Sequence, residues 1–180
     1  MLKNIWQIIT LVFIMSFLVL FQSSFISALP NPFRQFNLVL VVLMFTLFFI
    51  DFRTALISAL AAGFWLDVFS FNFFGLYLLI FFIVLLLAEW ILKNWLTNRS
   101  FYALVALMIV ATFVYNLLAA IILYLVSSNY TTFFLLQSNF WLSLVYQIIW
   151  GVLSALILFN LAALLSKRIK PFFLEKKSFI

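Results

Sequence analysis

Long apolar runs separated by short polar breaks set the pattern of this chain. A helix needs about 20 mainly apolar residues to cross the hydrocarbon core of a membrane. Six stretches fit that template. The first runs from about Ile5 to Leu29 and stops at Pro30-Asn31-Pro32. Lys3 ahead of it resembles the charged start of a signal peptide. The apolar run is long, however, and no small-x-small cleavage site precedes Pro30, so an uncleaved span is expected. Asn31 as cap and Pro32 as first helical residue predict a second span from about Pro32 to Ile50. Asp51-Phe52-Arg53-Thr54 reads as a polar turn in which Thr54 caps a short third span, about Ala55 to Phe69.

After a turn from Ser70 to Gly75, a fourth span is expected from about Leu76 to Leu92. Lys93-Asn94 and Thr97-Asn98-Arg99 follow as a polar stretch, with Trp90 and Trp95 at interfacial positions. The fifth span is expected over about Phe101 to Val126. Polar residues from Ser127 to Thr132 then lead through a semi-polar loop to Ser138. The sixth span covers about Phe140 to Leu165. The expected organisation is a six-helix transmembrane domain over residues 1–166 and a basic cytoplasmic tail over 167–180.

The third span carries the most distinctive pattern. Ala55, Ala59 and Gly63 stand four residues apart, and Asp67 is the next step in that series. Residues at i and i+4 share a helix face, so three small side chains form a groove leading to a carboxylate. Small residues at this spacing let a second helix backbone come close, which is how helices associate in lipid. An intramembrane Asp costs about 2.5 to 3.5 kcal/mol on insertion scales and usually has a protein partner. Two readings stay open for Asp67, a buried packing residue or an interfacial residue that caps a turn, since Ser70, Asn72 and Gly75 follow closely.

Composition narrows the picture. Of 180 residues 69% are hydrophobic and 8% charged, against about 45 to 50% and about 25% in soluble domains. Mean hydropathy is +1.33. The chain is therefore an all-α integral membrane protein. It has no Cys and no His, which removes thiolate chemistry, the commonest general base and the commonest metal ligand. The four carboxylates Asp51, Asp67, Glu89 and Glu175 are scattered. Phosphate loops, paired-Asp metal motifs and nucleophile elbows are missing from the sequence. No catalytic, cofactor or metal site is expected, and the chain reads as a non-enzyme.

Charge placement orients the bundle. If both termini are cytoplasmic, Lys3, Arg53, Lys93, Arg99, Lys167, Arg168, Lys170, Lys176 and Lys177 all lie inside, and only Arg34 lies outside. That is the positive-inside rule, and a five- or seven-span count would spoil it. The net charge of +6 is then mainly a topology signal. No basic face for nucleic acid is left, whereas Lys167, Arg168 and Lys170 suit contact with anionic lipid.

Other polar residues read as packing devices. Glu89 precedes Lys93 by four residues, the favourable order for an ion pair on a helix. Gln22, Asn116, Gln147 and Asn160 are candidates for hydrogen bonds between helices. Gly151 and Ala155 form a second small-residue step on the sixth span.

The stretch GFWLDVFSFNFFGLY, from Gly63 to Tyr77, resembles the bacterial rod shape-determining MreD family. Members share the small size, six apolar spans, a glycine followed by Leu-Asp, and a turn that ends in Gly-Leu. The Asn98-Arg99-Ser100 turn and the basic C-terminal end are also similar. The turn here reads Phe71-Asn72-Phe73-Phe74 where the family pattern carries a proline. The resemblance implies a non-enzymatic scaffold of the elongation machinery in the bacterial cytoplasmic membrane. Its expected partners are MreC, a SEDS-type glycosyltransferase, a penicillin-binding transpeptidase and, indirectly, MreB filaments. It also implies a fold similar to the S-components of energy-coupling-factor transporters. The alternative function is thus a small-molecule-binding subunit of such a vitamin transporter.

Overall fold

Six α-helices, with no strand among the described residues, make up the computed structural model, which describes residues 2–70, 74–95, 100–126 and 138–168. They are α1 (Leu2–Ser24), α2 (Leu38–Phe49), α3 (Phe52–Phe69), α4 (Leu76–Asn94), α5 (Phe101–Val126) and α6 (Ser138–Arg168). Two 3-10 turns, Ile26–Ala28 and Phe33–Gln35, connect α1 to α2. Among the described residues five helices are long and apolar enough to cross a membrane; α2, at 12 residues, is shorter.

The short helix lies at the centre. Val39, Leu40, Val41, Leu43, Met44, Thr46, Leu47 and Phe48 of α2 are all buried. The helix touches α1, α3, α4, α5 and α6. A helix apolar on every side belongs inside a protein. Because α2 is surrounded by protein rather than lipid, its length of about 18 Å need not match the hydrocarbon thickness of about 30 Å. Phe81, Ile80 and Leu85 of α4 and Leu104, Leu107 and Met108 of α5 complete the core around it.

This corrects the expected second span. The helix starts at Leu38 rather than Pro32, and its cap is Asn37 rather than Asn31. The Asn37 side chain accepts the Leu40 N–H at 3.1 Å. Gln22 of α1 accepts the Val39 N–H at 2.8 Å. A buried helix end must have its free N–H groups satisfied by protein. Asn31 is exposed, and Pro32 precedes a separate 3-10 turn.

The expected Thr54 cap is also corrected. α3 begins at Phe52, with Asp51 at the cap position and no side-chain cap bond. Thr54 lies inside the first turn, where its carbonyl accepts the Ser58 hydroxyl at 2.8 Å. Phe52 packs against the core, which draws the helix start back by one turn. The turn at 71–73, the 96–99 stretch with Asn98 and Arg99, the 127–137 loop and the tail from Ile169 lie outside the described residues.

Candidate functional site at the α3–α4 hairpin

The face of α3 that carries Ala55, Ala59, Gly63 and Asp67 is buried. α3 packs against α4 more extensively than any other two helices pack. At Gly63 the two backbones nearly touch. A Cβ placed there would stand 2.6 Å from Leu78 Cα and 2.9 Å from Leu78 N, closer than any side chain tolerates. The hydrogen of glycine thus sets the distance between the helices.

One turn farther along, Asp67 is 4% exposed. Its Oδ1 accepts the N–H of Tyr77 at 2.8 Å, and its Oδ2 accepts the N–H of Leu78 at 3.2 Å. Those N–H groups belong to the first turn of α4, where no intrahelical acceptor exists. The carboxylate also faces the positive end of the α4 dipole. Gly75, at the cap position of α4, has φ +95°, a conformation that costs other residues about 1 to 2 kcal/mol. Its own side chain is a hydrogen and supplies no cap. Asp67 takes over that task from the preceding helix.

Asp67 combines features of the two readings open for it. It is inside the bundle, and it caps the next helix. Both oxygens are committed to backbone donors, so the carboxylate serves as a structural acceptor. Gly63, Asp67, Gly75, Tyr77 and Leu78 form one unit that fixes the α3–α4 hairpin.

A second polar cluster joins four helices. Gln22 Nε2 donates to Asn37 Oδ1 at 3.4 Å. Asn37 lies beside Tyr115 of α5, whose ring stacks on Phe81 of α4 at 5.5 Å and 21°. Asn37 and Tyr115 were not among the sequence candidates. An Asn immediately ahead of twelve apolar-rich residues is a recognisable helix-start signal, masked here by the proline break upstream.

The other candidates fall in separate places. Asn116 of α5 donates to Gln147 of α6 at 2.6 Å and to the Thr112 carbonyl at 2.8 Å. Gly151 and Ala155 are buried on α6, with 3.9 Å between a Cβ built on Gly151 and Thr112 Oγ1. That contact is looser than the one at Gly63. Asn160 is exposed. At the opposite end of α4, Glu89 Oε1 lies 2.7 Å from Lys93 Nζ. Trp90 and Trp95 pack beside this pair, with ring centroids 6.2 Å apart. The side chains of Lys167 and Arg168, and Lys170 altogether, lie outside the described residues. Among the described residues no three His, Cys, Asp or Glu side chains gather to hold a metal ion.

No curated protein and no solved structure matches this chain. The family model for rod shape-determining protein MreD matches it over residues 2–169. That match takes in the whole described bundle, from α1 to the last residue of α6, with the α3–α4 hairpin at its middle. The chain belongs to the MreD family of rod shape-determining proteins.

Proposed function

We propose that this protein is a non-enzymatic scaffold of the cell-elongation complex in the bacterial cytoplasmic membrane. In this reading it binds MreC and helps couple MreB filaments to lateral peptidoglycan synthesis by a SEDS glycosyltransferase and a penicillin-binding transpeptidase. The family match over residues 2–169 carries the reading. The structure is compatible with it because these polar groups inside the bundle serve architecture. Asp67 caps a helix and Asn116 bonds Gln147.

The proposed topology places both termini in the cytoplasm. Nine of the ten basic residues then lie inside, and Lys167 and Arg168 at the end of α6, with Lys170 beyond it, meet anionic lipid. The small-residue groove on α3 is filled at Gly63 by the protein's own α4. Partner helices therefore dock on faces other than this one.

Affinity purification of the full chain in mild detergent tests the proposal. MreC should co-purify with the parent protein. Recovery of an ATPase pair in place of elongation proteins would instead favour the transporter-subunit function.

A further inference from the structure

A cavity of about 450 Å³ opens between the second 3-10 turn and the first turns of α6. Asn31, Pro32, Gln35, Leu142, Ser143 and Tyr146 line it. Four of these six carry neutral hydrogen-bonding groups, two amides and two hydroxyls, and none carries a charge. No hydrogen bond among the described residues engages the side chains of Asn31, Gln35 or Tyr146. Ser143 donates to the Phe140 carbonyl at 2.8 Å, leaving its oxygen as an acceptor. The size falls in the usual range for small-molecule sites, about 300 to 1,000 Å³.

The walls are held together by rings. Phe33 packs on Trp150 of α6 at 4.9 Å, and Phe36 meets the same indole at 6.5 Å. The turn that carries Asn31 and Gln35 is thereby pinned to the helix that carries Ser143 and Tyr146. Arg34, exposed on that turn between the lining residues Pro32 and Gln35, is the turn's one positive charge. Beside the cavity, Trp141, Leu142, Val145 and Ile149 leave an exposed apolar strip along α6.

We propose that this cavity binds a phospholipid with a polyol headgroup. The headgroup hydroxyls meet Asn31, Gln35, Ser143 and Tyr146, the phosphate lies by Arg34, and the acyl chains follow the strip on α6. Neutral amides and hydroxyls recognise hydroxyl groups by exchanging donors and acceptors. One guanidinium answers one phosphate. The adjoining strip favours a lipid over the same headgroup free in water, because it gives the chains a surface to cover. The inference rests on the bundle spanning a membrane and is independent of which proteins bind it.

Native mass spectrometry of the full chain from mixed micelles tests it. The micelles hold equal amounts of phosphatidylglycerol and phosphatidylcholine, with glycerol 3-phosphate as the soluble competitor. The parent should retain phosphatidylglycerol over phosphatidylcholine by about tenfold, the ratio for roughly 1.4 kcal/mol. Gln35→Leu with Tyr146→Phe should bring the ratio near one, and Arg34→Gln should lower it. Should the double variant fail to fold, the exposed Arg34→Gln and Asn31→Ala changes, which remove no core contact, decide the matter. Equal retention of the two lipids by the parent overturns the proposal, as does a ratio unchanged in the variants. Displacement of the lipid by equimolar glycerol 3-phosphate overturns its lipid part.

Discussion

Asp67, in the last turn of α3, accepts the backbone N–H of Tyr77 at 2.8 Å and thereby caps the helix that follows its own. A helix N-terminus buried in a membrane protein has no water to satisfy its free N–H groups, and Gly75 brings no side-chain acceptor. The carboxylate that looked costly from sequence is placed where its charge offsets a deficit. Replacing Asp67 with Ala should cost about 0.5 to 2 kcal/mol, as loss of a cap does. Asn keeps one acceptor oxygen and should cost less. Hydrogen exchange should quicken at the Tyr77 and Leu78 amides in Asp67→Ala, and unchanged protection there would refute the capping role.

The two buried glycines should respond differently to the same small change. Gly63→Ala drives a methyl into the Leu78 backbone and should destabilise by about 1 to 3 kcal/mol, as overpacking does. Gly151→Ala meets Thr112 Oγ1 only at 3.9 Å and should leave the melting temperature in detergent nearly unchanged. Equal melting of the two variants would show that the α3–α4 approach is not limiting.

The Asn116–Gln147 bond links α5 to α6 at 2.6 Å. Hydrogen bonds between helices in membranes average about 0.6 kcal/mol and reach about 1.7. A double-mutant cycle with Asn116→Leu and Gln147→Leu should return a coupling within that range. A coupling of zero would mean that the two side chains find other partners.

Gln22→Leu should loosen α2 without touching its apolar contacts. The Val39 amide loses the acceptor now 2.8 Å away, and leaving a buried donor unsatisfied costs about 1 to 3 kcal/mol. Faster exchange at Val39, with α6 unaffected, is the expected signature. Uniform loosening of the whole bundle would point instead to a general loss of α1 packing.

Topology is open to a direct measurement. Reporter fusions after Lys177 and within residues 127–137 should report opposite sides of the membrane, with the C-terminal one cytoplasmic. Signals from the same side would remove the six-crossing arrangement, because α6 alone of the described helices separates the two sites.

The sequence by itself determined the membrane class, five of the six helices it expected as spans, the small-residue face of α3 and the family resemblance. These follow from local properties: apolar run length, i, i+4 spacing, and a motif contiguous from Gly63 to Tyr77. It also marked Asn116 and Gln147 as bonding candidates, since a polar group in an apolar run needs a partner. What it did not determine was which residues meet. Only the tertiary structure pairs Asp67 with the first turn of α4, Gly63 with Leu78, and Gln22 with the start of α2. The same holds for α2, which by hydropathy alone looks like one more span. It becomes a short buried axis because five neighbouring helices, rather than lipid, surround it. Hydropathy registers how apolar a segment is, while whether protein or lipid covers it depends on contacts distant in the chain.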